Sequence, residues 1–212
     1  MLIVIWLHLN MYVPPSFRNT NHDEILAFIR EHSFGLLLSN GTAVPFATHL
    51  PFLIEQQQEH VVLTTHLAKA NEQCASLQDG ESVKIIFAGP HAFISPSLYT
   101  GNDHVPTWNY VAVHAFGNVQ ILNGESADDA MKAISAHYDP DWASRMHTVS
   151  EDYMNALKKE IVVVKIVVNK LEAQYKLSQN RIGQDRQRIK KYLLGHEDAA
   201  AREAGSYMKD EL

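Results

Sequence analysis

His60-Val61-Val62-Leu63-Thr64-Thr65-His66-Leu67-Ala68-Lys69-Ala70-Asn71 is the stretch around which the rest of the chain is organised. Its first half, His60 to Thr65, is rich in β-branched and apolar residues, as a strand is. It then runs into adjacent hydroxyls, an imidazole, a lysine and an asparagine. Helical spacing resumes at Ala70, Cys74 and Leu77 and stops before Gly80, so a short helix is expected to start where the polar groups cluster. A strand, a polar turn and a helix N-terminus together suit a phosphate monoester, because free backbone N–H groups and the positive end of the helix dipole face the bound oxygens. Lys69 adds a compact full charge, and Thr64 and Thr65 carry hydroxyl donors. The plainer alternative is a polar turn with a helix cap and a solvated lysine.

A chain of 212 residues is large enough for one well-buried domain. Its 46% hydrophobic and 20% charged content is that of an ordinary globular protein. The formal net charge of −6 argues against a general nucleic-acid coat but leaves room for a local basic patch. A single cysteine, Cys74, excludes an intramolecular disulfide and any CxxC site, which favours a reducing, cytoplasmic setting. Met1 to Leu9 is apolar but far short of the roughly 20 residues that span a bilayer, and it lacks the flanks of a signal peptide, so no membrane partner is expected. Residues 1–10 are read as an N-terminal extension, 11–195 as the domain, and 196–212 as an acidic, frayed tail. The terminal Lys209-Asp210-Glu211-Leu212 spells an ER-retention address, taken as coincidence because nothing in the chain provides entry.

In chain order, Asn21 with Glu24 forms a capping-box start for a helix to about His32. Phe34–Ser39 and Ala43–Ile54 flank Asn40-Gly41, a strong hairpin signal, and Pro45 and Pro51 make the second strand an edge or an interrupted one. Ser82–Ala88 reads as a strand closed by Gly89-Pro90, followed by a long loop over Ser95–Thr107. Val111–Leu122 is β-rich, with Gly117 marking a bulge or a close backbone approach. Ser126 and Asp129 suggest a second capping box, Glu151–Lys159 another helix, and Ile161–Val168 a strand buried on both faces. Ser178 is the expected cap of a last helix through Leu194. Short strands with interspersed helices favour a mainly β antiparallel barrel with peripheral helices over alternating βαβ units, and no GxGxxG or Walker sequence appears.

Several constellations bear on chemistry. His49, His66, His91, His104 and His114 show no metal-ligand spacing, and Ser95 and Ser97 lack a nucleophile elbow, so the histidines are read as structural and no nucleophile is assigned. Val105-Pro106-Thr107-Trp108-Asn109-Tyr110 offers planar apolar contact and hydrogen-bonding groups for a flat heteroaromatic ligand, or simply a tryptophan anchoring a loop. With the phosphate-type turn, it points to a nucleotide-like cofactor such as FMN. Tyr175-Lys176-Leu177-Ser178-Gln179-Asn180-Arg181 gathers donors at a strand-to-helix junction. Arg186, Arg188, Lys190 and Lys191 form either a DNA-contacting face or a solvated surface.

Taken together, Phe34-Gly35, Ala47-Thr48-His49-Leu50-Pro51, His66-Leu67-Ala68-Lys69-Ala70-Asn71, Gly89-Pro90-His91-Ala92, Val105-Pro106-Thr107-Trp108-Asn109-Tyr110 and Lys176-Leu177-Ser178-Gln179-Asn180-Arg181 resemble the PaiB family of FMN-binding negative transcriptional regulators, relatives of the pyridoxamine-phosphate-oxidase-like split barrels. The resemblance runs from Met11 to Leu194. It implies a six-stranded antiparallel split β-barrel, a bacterial homodimer with FMN at the subunit interface, and transcriptional repression. It maps Thr64, Thr65, His66, Lys69 and Asn71 to the phosphate region, and Trp108, Asn109, Lys176, Gln179 and Arg181 to the rest of the pocket. Glu72-Gln73-Cys74 departs from the Pro and Trp that often follow the family's asparagine, which implies altered helix packing. An FMN-dependent oxidoreductase and a haem-handling relative stay open beside the regulator, since fold does not fix function.

Overall fold

The computed structural model describes residues 11–57, 60–101 and 103–209, which fall into two compact units. One holds His22–Ala88 and His114–Leu171; the other holds Gly89–Val113 with the described residues before His22 and after Leu171. The extension at 1–10 and the final Asp210-Glu211-Leu212 lie outside the described residues. No helix among the described residues is long and apolar enough to cross a membrane.

In the first unit, helix α1 (His22–Glu31) buries Ile25, Leu26, Phe28 and Ile29 on one stripe, as its sequence spacing dictates. Strands β2 (Phe34–Ser39) and β3 (Phe46–Pro51) pair antiparallel around Asn40-Gly41, from Phe34↔Pro51 to Ser39↔Phe46. The chain then leaves the ladder at Phe52, which is fully buried and donates its N–H to Ser33 O at 2.9 Å. Pairing resumes as β4 (Leu53–Gln57) against β5 (His60–Ala68). The expected second hairpin strand is therefore interrupted, and β3 ends the strand order, which suits Pro51 within it and Pro45 just before it.

Strands β6 (Ser82–Ile94), β7 (Thr107–Leu122) and β8 (Ile161–Lys176) are the long ones. The order is β3-β2-β6-β7-β8-β5-β4, and β1 (Arg18–Asn19) pairs with β8 at Gln174 and Ala173. The sheet thus has eight strands rather than the expected six, because Phe52 divides one segment and β1 adds a two-residue strand. Gly89-Pro90 does not close β6. Its buried set moves from Val83, Ile85 and Phe87 to Pro90, Ala92 and Ile94, the signature of one extra residue that lets a strand pass a proline. β8 is only partly buried on its second face: Val164, Ile166 and Val168 are buried on the first, and on the second Val163 is buried while Lys165 and Val167 are half-buried. Gly117 is a close approach, since a Cβ there would lie 2.4 Å from Val167 O.

Helix α2 (Glu72–Ser76) follows β5, and helices α3 (Gly124–Tyr138), α4 (Pro140–Arg145) and α5 (Glu151–Lys159) lie between β7 and β8. α3 starts ahead of the predicted capping box: Ser126 Oγ donates to Asn123 O at 2.8 Å instead of accepting from an amide. In the second unit, Ser178 caps no helix. It sits in a turn with φ of 63°, and α6 begins only at Gly183, running to Leu194. The tail expected to fray forms α7 (Ala199–Ser206), with Ala201, Ala204 and Gly205 buried. These small residues allow contact with α6 so close that a Cβ on Gly205 would lie 3.0 Å from Leu193 Cβ.

Candidate functional site

The polar residues of the first unit separate into two groups because β5 continues through His66 and Leu67 to Ala68, past the expected turn. Successive side chains on a strand face opposite ways. Thr65 points to the side where its Oγ1 donates to Pro51 O at 2.7 Å. Thr64 and His66 share the other face. Thr64 is 1% exposed and its Oγ1 has no hydrogen-bond partner; the buried Nδ1 of His66 has none either. Burial pushes the His66 imidazole below its ordinary pKa, which favours the neutral ring.

The remaining polar residues sit past the end of β5. Lys69 N donates to Glu160 O at 2.8 Å, closing the β5–β8 ladder, while the Lys69 side chain is exposed. Asn71 uses both ends of its amide: Oδ1 accepts from Gln73 N at 2.9 Å to cap α2, and Nδ2 donates to Thr48 Oγ1 at 3.0 Å. Gln73, not Cys74, is the buried residue of this helix. Its Nε2 donates to Leu37 O and Ser39 Oγ, fastening α2 to β2. At about 3.3 Å per residue, the Lys69 Cα lies roughly 16 Å along the chain from that of Thr64.

The second unit holds the other candidates, and strand alternation divides them too. Trp108 is 51% exposed and meets Phe93 edge-on at 5.8 Å and His91 at 6.0 Å, whereas Asn109 beside it is 1% exposed. Asn109 Oδ1 accepts from Ser178 Oγ at 3.1 Å, and its Nδ2 is buried without a partner. Trp108 and Tyr110 therefore share a face that Asn109 does not. Lys176 Nζ donates to Thr107 Oγ1 at 2.5 Å and Trp108 O at 2.6 Å, holding the start of β7. Burial and then the nearby Arg181 charge lower its pKa. Gln179 folds back on its own turn, accepting from Leu177 N and donating to Tyr175 O. Arg181 lies over the Tyr99 ring at 4.4 Å.

Sequence reasoning missed Asp185. This buried carboxylate on α6 accepts from Thr100 N at 2.8 Å and Thr100 Oγ1 at 2.7 Å, fixing the long loop before β7. The Thr100 hydrogen bonds are the foremost cause of its lowered pKa. His104, through Nε2, meets Thr100 O at 2.9 Å. Nothing local in the sequence announces a contact between positions 85 residues apart.

The profile of a family described as "Putative FMN-binding domain" matches residues 11–170. The protease synthase and sporulation protein PAI 2 of Bacillus subtilis (strain 168) is 35% identical over 204 residues, covering 95% of this chain and 98% of that protein. Among solved structures, the fold is similar to that of the FAD and heme binding protein from Mycobacterium smegmatis, with a TM-score of 0.56 and 8% identity over 75% of this chain and 73% of the other. It is also similar to the flavocytochrome Anf3 from Azotobacter vinelandii, with a TM-score of 0.58 and 11% identity over 75% and 69% of the two chains. The architecture is the antiparallel split β-barrel with peripheral helices.

Proposed function

The chain belongs to the PaiB family of FMN-binding-domain proteins, and from that premise we propose that it binds FMN and acts as a negative transcriptional regulator, as a homodimer in a bacterial cytoplasm. The observation that carries the ligand reading is the pair of buried, unpartnered polar atoms on one face of β5, Thr64 Oγ1 and His66 Nδ1. Burying a polar group without a partner costs on the order of 1–3 kcal/mol. A ligand oxygen accepting from these groups removes that cost, and a phosphate monoester has such oxygens.

In this reading the other candidates divide by what they already hold. Thr65 and Asn71 fix the two ends of the phosphate region through Pro51 O and Thr48 Oγ1, and Lys69 supplies positive charge at its rim. Trp108 offers an exposed ring for stacking and Arg181 a guanidinium already steadied by Tyr99, while Asn109, on the opposite face of β7, acts by holding the turn at Ser178. Lys176 and Gln179 act by shaping the junction between β7 and the turn after β8. Bound FMN would supply hydride and electron transfer, or simply a sensed ligand, while the protein supplies position and electrostatics.

The regulator half of the proposal draws on the family. Arg186 donates to Lys209 O and Arg188 reaches Leu98 O, so Lys191 is the exposed cation of the basic face with most freedom to meet DNA phosphate. Titrating the purified protein with FMN, followed by flavin absorbance and fluorescence, tests the ligand. Saturable uptake at micromolar concentration is expected, and no uptake would reject it. Retention of promoter DNA that weakens with salt and with Lys191→Ala tests the regulator; its absence at low salt would leave only the flavin protein.

A further inference from the structure

Antiparallel pairing of β5 with β8 runs from Val61↔Val168 to Ala68↔Ile161, and in that register Thr64 lies directly opposite Lys165. Directly opposed residues project to the same face with their Cβ atoms about 5 Å apart. The face that carries the unpartnered Thr64 Oγ1 and His66 Nδ1 therefore carries Lys165 as well. Lys165 is half-buried and has no carboxylate partner among the described residues. The acid of β4, Glu55, lies opposite Val62 and so shares this face, but on the far side of β5 from Lys165 and two residues along from the level of Thr64.

Distance decides between the available cations. A lysine side chain reaches about 6 Å from its Cα, so Lys69, whose Cα lies roughly 16 Å along the chain from Thr64 and about 10 Å from His66, meets such an anion from its His66 end and does not reach its Thr64 end. Lys165, across one strand spacing of about 4.8 Å, does. The geometry points to Lys165 as the cation that neutralises a phosphate held by the Thr64 hydroxyl and the His66 imidazole, with Lys69 left at the rim. This rests on the FMN reading above and adds a residue to it. Two neutral donors and one ammonium within a strand pair suit a phosphate monoester better than the uncharged flavin ring, because a half-buried ammonium gains most from a full opposite charge.

The test compares FMN with riboflavin, which lacks the phosphate, on the full chain and on Lys165→Met and Lys165→Arg, with circular dichroism and melting as checks on folding. Lys165→Met is expected to weaken FMN about tenfold and to leave riboflavin unchanged, closing the gap between the two ligands, while Lys165→Arg keeps most of it. Wild-type protein that binds FMN together with a Lys165→Met variant that binds it equally well would overturn the assignment and leave the FMN reading standing. Equal loss of both flavins would also overturn it, showing that Lys165 supports the sheet and not the phosphate. If the wild-type chain takes up neither flavin, the FMN reading itself falls and this assignment with it.

Discussion

Gly117→Ala is the sharpest probe of the sheet. A Cβ at this position would lie 2.4 Å from Val167 O, 2.7 Å from Ile166 Cγ2 and 3.0 Å from Val167 C. Even against a 3.0 Å lower limit for Cβ contacts the first falls short by 0.6 Å (3.0 − 2.4). The obstacle is backbone, which cannot swing aside as a side chain can, so β7 and β8 would have to part locally. Overpacking of this kind costs typically 1–3 kcal/mol, and a rigid neighbour places the cost near the upper end, about 3 kcal/mol. For a chain of this size that corresponds to a fall in Tm of roughly 6–12 °C. Gly195→Ala is the control: its φ is −95° and its nearest neighbour, Lys191 O, lies 3.6 Å from the added Cβ, so a change within about 0.5 kcal/mol is expected. Thermal and urea unfolding of both variants decide the matter. A Gly117→Ala protein that melts within about 2 °C of wild type would refute the close approach and the β7–β8 packing that requires it.

Other substitutions probe the polar residues. Thr64→Val removes an unsatisfied hydroxyl at nearly constant shape, so unfolding in urea should show unchanged or slightly raised stability, while FMN affinity drops. Asn71→Ala deletes both the α2 cap and the bond to Thr48 and should cost about 1 kcal/mol, read from the urea midpoint at constant slope. Burial holds the His66 pKa below the 6.5 of the unfolded chain, so the unfolded state takes up the proton first and stability falls as pH drops through about 6.5, levelling once the folded ring protonates. Melting His66→Gln across that range should show this part of the pH dependence removed; a wild-type curve flat between pH 7 and 5 would contradict it. Trp108→Ala should barely change stability, since the ring is half exposed, yet should reduce flavin fluorescence quenching; unchanged quenching would place the ring elsewhere.

Much of the local structure was legible because its signals are local. The α1 stripe, the Asn40-Gly41 hairpin, the extent of α5 and the demand for glycine at 117 all follow from neighbours in sequence. Two of the misreadings share one cause, polar residues taken as punctuation. His66 looked like the start of a turn but continues β5, where Leu67 keeps the inward face apolar. Ser178 looked like a helix cap but takes a left-handed turn whose hydroxyl goes to Asn109. The small residues of α7 looked like part of an acidic, frayed tail but are what allows it to seat on Leu193. Pairings that depend on register, such as Thr64 with Lys165, or on distant segments, such as Asp185 with Thr100, leave no trace in any short window.

The alternation in β7 has a consequence for how this chain can change. Between Thr107 and Gly117 the odd positions face inward and the even ones outward, so, Gly117 apart, a single residue can be exchanged while its neighbours keep their posts. Inserting or deleting a single position is another matter. It would turn Trp108 and Tyr110 towards the interior and expel Val111 and Val113 in one stroke. The count of residues in this segment is therefore held more tightly than their identity, and relatives should differ here by spelling, never by length.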